Sequence, residues 1–161
     1  MNAFNAIERK IDRKAEREEK RVQDMYNESI VVKLPEYNAE IAVYINGNHA
    51  ISRIYDRCCS DMASMSSKID AFFKNCSDDV LFELLVAAQE MSEIGIYTQR
   101  TAFVFKPVYF DAATFGKKRV SIITLKTCAD EESLGYKFKF KDVAAVFEEN
   151  TVTDENGNVI V

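Results

Sequence analysis

The first 28 residues contain neither glycine nor proline and carry seven basic and seven acidic side chains. A stretch so rich in Glu, Lys, Arg and Ala predicts one helix over residues 2–28. Winding it at about 100° per residue, with Arg9 as zero, sorts the side chains into three faces. Arg9, Lys10, Arg13, Lys14, Arg17, Lys20 and Arg21 fall within an arc of roughly 140°, and Phe4, Ile7, Ile11, Ala15, Val22 and Met25 within a seam roughly 80° wide. Glu8, Asp12, Glu16 and Glu19 take the remaining side, while Glu18 interrupts the seam. The apolar steps follow an eleven-residue period, which suits nearly straight packing against a partner. So narrow a stripe is poor core material and resembles a coiled-coil contact strip. Alone in water such a helix is marginal. Residues 1–28 are therefore expected to project from a single α+β domain over 29–161.

Pro35 separates two strand-like runs, Ser29–Leu34 and Ala39–Asn46. Asn46-Gly47-Asn48 predicts a turn with Asn48 as a helix N-cap. Helical spacing of Ile51, Ile54, Cys58, Met62, Met65, Ile69 and Phe72 predicts one helix from His49 to about Lys74. Ser77, followed by Asp78 and Asp79, reads as the cap of a second helix over about 78–94, apolar round most of its circumference and expected to be buried. Beyond it the pattern turns to strands. Thr101–Phe110 is apolar on both alternations, as in a central strand, with Pro107 marking a bulge or an edge. Further strands are expected at Arg119–Lys126 and Tyr136–Lys141, with one or two helical turns over Asp142–Glu149. Asn156-Gly157 signals a hairpin within Thr151–Val161. The expected fold is α+β: a long charged N-terminal helix, a central helical hairpin and a mostly antiparallel sheet of about five strands.

Composition removes several functions. At 161 residues the chain suits one domain, and no run approaches the length of a membrane span. The charged N-terminus lacks the apolar core of a secretory signal, so the expected location is cytoplasmic, or within a virion. A single histidine excludes multi-histidine metal sites and most histidine-relay chemistry. The four cysteines lack zinc-ligand spacing, Cys58 and Cys59 being adjacent, and read as buried thiols. His49 and Cys58 are nine helical residues apart, about 13 Å along the axis, which is too far for a dyad. Asp78, Asp79, Glu83, Glu90 and Glu93 cluster on one helix, where capping and solvation explain them, and Asp154-x-Asn156-x-Asn158 lacks the later ligands of a calcium loop. With no glycine-rich phosphate loop either, neither metal nor cofactor is expected, and catalysis is not.

The net charge of −5 conceals segregation. Residues 75–99 hold five acids and no base, residues 100–141 nine bases and four acids, and residues 142–161 five acids and no base. The pattern predicts a non-enzymatic interaction protein, a subunit of a larger assembly or an inhibitor of a partner protein. Docking runs through Phe4, Ile7, Ile11, Val22 and Met25, and is oriented by Arg9, Arg13, Arg17 and Arg21. The partner is another protein or a second copy. The alternative is a phosphate or nucleic-acid contact through Lys106, Lys117, Lys118, Arg119, Lys126, Lys137 and Lys139 on one sheet face. The aromatics between the last lysines, Tyr136, Phe138 and Phe140, point the other way and offer no stacking platform.

Overall fold

The computed structural model describes residues 3–58, 61–111, 118–130, 150–154 and 159–160. Helix α1 runs over Ala3–Asn27 and is followed by strand β1 (Ile30–Leu34), a 3-10 turn at Pro35–Tyr37 and strand β2 (Ala39–Tyr44). Proline opens the tight turn, and Asn38, left-handed at φ 47°, closes it. Next come helices α2 (Asn48–Arg57), α3 (Met62–Asn75) and α4 (Asp78–Glu90). Strands β3 (Ile94–Thr98), β4 (Thr101–Asp111), β5 (Arg119–Asp130) and β6 (Thr151–Thr153) complete the described chain.

The six strands form one sheet in the order β1-β2-β5-β4-β3-β6. The β2–β5 pair is parallel and the other neighbours are antiparallel. A parallel pair needs a crossover, and α2 to α4 together with the β3–β4 hairpin lie between those two strands in sequence. The α+β class holds, with six strands in a mixed sheet instead of about five. Pro107 lies in a central strand and is accommodated by a register shift between it and Tyr109.

Three local expectations change. The helix expected from His49 to Lys74 is two helices, because the Asp61 carboxylate accepts a hydrogen bond from the Ser64 amide at 2.9 Å and starts α3 afresh. Gly47, not Asn48, is the residue before α2. The helix expected to reach residue 94 stops at Glu90, and Ile94–Thr98 becomes a fully buried strand, so three helices replace the two-helix hairpin. The β-branched pair Ile94 and Ile96 with Thr98 favours that strand.

Alternation along the strands divides the core. Ile41, Val43, Ile96, Phe103, Phe105, Ile123 and Leu125 face α2, α3 and α4 in the main core. On the opposite face Ala42, Val120 and Ile122 meet Val22 of α1, with Met25, Tyr26 and Tyr44 packed around them. The sheet thus lies between the three-helix layer and the end of α1. The antiparallel bridge Thr153–Val159 brackets Asn156-Gly157, as a hairpin there requires. That turn, the strand expected at 136–141 and the turns expected at 142–149 lie outside the described residues. Among the described residues no helix is long and apolar enough to cross a membrane.

Candidate docking helix

A helix of 25 residues is about 37 Å long. Its last two turns are covered. Val22 is 3% exposed and packs with Ala42, Val120 and Ile122, with Met25 beside them. Burying a valine stabilises by roughly 1.5–2 kcal/mol. Polar contacts reinforce this anchor. The Tyr26 hydroxyl donates to Glu40, 3.0 and 3.1 Å from its two carboxylate oxygens. Burial, then the Glu40 hydrogen bond and charge, hold the Tyr26 phenol above its ordinary value. Burial and the neighbouring Glu28 carboxylate do the same to Tyr44. The Ser29 hydroxyl donates to the Met25 carbonyl at 2.6 Å, satisfying a carbonyl of the last turn.

From Ile7 to Arg21 every side chain is exposed, including Ile7 at 57% and Ile11 at 61%. Arg9, Arg13, Arg17 and Arg21 are all on this stretch. The side chain of Phe4 lies outside the described residues. The residues grouped as one docking seam thus divide: Val22 and Met25 are packed on the protein's own sheet, while Ile7 and Ile11 stand in solvent. Because Val22 and Ile11 share a helix face, the exposed seam continues the line of the buried one past the end of the anchor.

The basic residues are less concentrated than one continuous sheet face. Lys106 pairs in register with Thr124 of β5, six positions from Lys118, about 20 Å along a strand. Arg119 opens β5 on the alternation of Ile123, which faces the helical layer. Lys118 sits 3.5 Å from the buried Glu40, and Lys126 sits 2.5 Å from Glu93. Lys33 and Lys118 border a cleft of about 230 Å³ with Pro35, Asn38, Ala39 and Glu40. Glu40 sets a carboxylate beside Lys118 there and is the cross-strand partner of Lys33. Lys117, Lys137 and Lys139 lie outside the described residues.

His49 is exposed, with Nε2 3.4 Å from the Nε of Arg53, whereas Cys128 is buried against Cys58 beyond the other end of α2. The Ser77 hydroxyl accepts from the Val80 amide at 3.3 Å, so Asp78 and Asp79 occupy an ordinary first helical turn. No group of three or more metal-ligating side chains occurs among the described residues. Sequence reasoning missed Tyr26 and Glu40, the groups that aim α1. Their signal was present: in β2 the face carrying Glu40, Ala42 and Tyr44 is not the exposed polar face of a one-sided strand, so it asks for a covering element. No protein-family model, curated protein or solved structure matches the chain.

Proposed function

We propose that this protein is a non-enzymatic interaction subunit of a larger assembly, within a cell or a virion, that docks on a protein partner through the overhanging part of α1. One observation carries the reading: Ile7 and Ile11 are exposed on a helix whose own continuation is anchored to the domain through Val22. The anchor fixes the direction of the seam before binding, which reduces the ordering cost of association. The flanks limit the partner. Lys10 and Lys14 border the seam on one side, Glu8 and Glu19 on the other. A second copy in parallel would meet the sheet where Val22 enters it. An antiparallel copy would set basic flank against basic flank. A different protein fits better, one presenting an apolar ridge with acidic side chains on the Lys10–Lys14 side.

A photo-reactive residue placed at Ile11, and separately at Glu16, tests this in the native host. The expected outcome is an adduct with another polypeptide from position 11 only. The purified partner then binds in a salt-sensitive way and loses at least about tenfold in affinity with Ile7→Asp/Ile11→Asp. No adduct from position 11, or equal adducts from both positions, overturns the reading. The phosphate-binding alternative has less support, because Lys118 and Lys126 already lie beside Glu40 and Glu93.

A further inference from the structure

Cys58 and Cys128 are 70 residues apart in sequence, yet their sulfur atoms face each other at 3.4 Å. Both are buried, at 2% and 0% exposure. Cys58 is the first residue beyond α2, in extended conformation at φ −124° and ψ 124°, with its amide donating to the Ile54 carbonyl. Cys128 lies on β5 opposite Phe103, beside the register shift at Val104/Phe105. The pair therefore joins a helix end to a central strand near an irregularity in that strand's pairing.

The chemistry around the two thiols is unequal to that at Cys76. The facing Cys128 thiol draws Cys58 below the ordinary thiol value, against the opposing effects of burial and the Asp130 charge. Burial alone pushes Cys76 up to about 11, so that thiol stays protonated at neutral pH.

The geometry points to a redox-modification site in which Cys58 and Cys128 close into an intramolecular disulfide, with a hydroperoxide as oxidant. In the first step the Cys58 thiolate attacks the peroxide. The O–O bond breaks, hydroxide or alkoxide leaves, and Cys58 becomes a sulfenic acid. Cys128, losing its proton, then attacks the Cys58 sulfur and displaces the hydroxyl group, which leaves as water. Two thiols lose two electrons and two protons in all, and hydrogen peroxide is reduced to two waters. The sulfurs must close by about 1.4 Å to reach a bond of about 2.0 Å. The resulting link encloses α3, α4, β3 and β4 and fastens α2 to the sheet. Because both sulfurs are buried, opening at the end of α2 sets the rate.

The full chain, reduced and then treated with stoichiometric hydrogen peroxide at pH 7, tests this by intact mass, non-reducing peptide mapping and thermal melting. The expected results are loss of two hydrogens, a Cys58–Cys128 linked peptide and a Tm higher by about 5–10 °C, all reversed by dithiothreitol. Cys76→Ala leaves them unchanged, and Cys128→Ala, which removes both the second sulfur and the contact that lowers Cys58, abolishes the linked peptide and the rise in Tm. A link from Cys58 to Cys59, to Cys76 or to another molecule overturns the inference. So does over-oxidation of Cys58 with Cys128 still reduced, or a linked chain that melts no higher. Mapping the unaltered chain decides the outcome even if a variant fails to fold.

Discussion

The Tyr26 hydroxyl lies 3.0 and 3.1 Å from the two carboxylate oxygens of Glu40, joining the last turn of α1 to β2. Lys118 approaches the same carboxylate at 3.5 Å. One carboxylate thus joins α1, β2 and the start of β5. Hydrogen bonds to charged acceptors contribute about 1.5–3 kcal/mol, with partly buried ones at the low end. Tyr26→Phe is expected to cost about 1–2 kcal/mol in urea unfolding.

The same contact predicts an alkaline response. The folded-state value of Tyr26 is raised above 10.0, so the folded state favours the neutral phenol. Its contribution is complete below pH 10.0 and is lost as pH rises through the folded value. Cleavage by trypsin at Lys20 and Arg21, corrected for the enzyme's own pH dependence, should accelerate across that range. In Tyr26→Phe the step should shrink to the part that Tyr44, raised in the same way beside the anchor, contributes.

Ile7 and Ile11 touch too little of the protein to stabilise it. Ile7→Asp with Ile11→Asp should change unfolding free energy by no more than about 0.5 kcal/mol, since exposed sites away from packed features rarely do more. Val22→Ala removes buried methyl groups from the anchor and should cost about 1–2 kcal/mol. Denaturant melts of the two variants should therefore separate. Similar losses from both would contradict the division of the seam.

The β3–β4 hairpin turns through Gln99 and Arg100, both left-handed at φ 48° and 59°. Thr98 pairs with Thr101 directly across this two-residue loop. Such turns favour Asn-Gly, because a side chain at positive φ is strained. Gln99→Asn with Arg100→Gly should stabilise by about 0.5–1 kcal/mol, read as a higher denaturation midpoint.

Ser121 is fully buried in β5, and its hydroxyl has no hydrogen-bond partner among the described residues. Ser121→Ala removes a desolvated polar group with little loss of volume. It should stabilise by about 1 kcal/mol in the same melts. A loss of comparable size would show that the hydroxyl is satisfied in solution.

Some of the fold was legible because local chemistry decided it. Ser77 ahead of Asp78 and Asp79 marks a helix start, and the structure caps α4 there. Pro107 marks a bulge, and the register of β4 shifts beside it. Other elements were hidden by a periodicity that ran on. The spacing Ile54, Cys58, Met62, Met65 continues across the break between α2 and α3, because both helices turn apolar faces to one sheet. The extended Cys58 and the Asp61 cap interrupt it. At Ile94–Thr98 an apolar run too short to show a period follows a helix apolar nearly all round, so the boundary was blurred.

The sequence by itself determined that the N-terminal stretch, expected over 2–28 and found over 3–27, is a helix with charge sorted by face, since that follows from helical geometry and the order of the residues. It also determined the α+β class, through strand-like and helical periods in succession. Which half of the α1 seam is covered was decided by tertiary structure. Ile7, Ile11, Val22 and Met25 lie on one line of the helix and are alike in kind. What separates them is that Val22 and Met25 meet Ala42, Val120 and Ile122, residues of β2 and β5 that pair from distant parts of the chain. The meeting of Cys58 with Cys128 has the same origin, because contacts between residues far apart in sequence depend on how the layers stack.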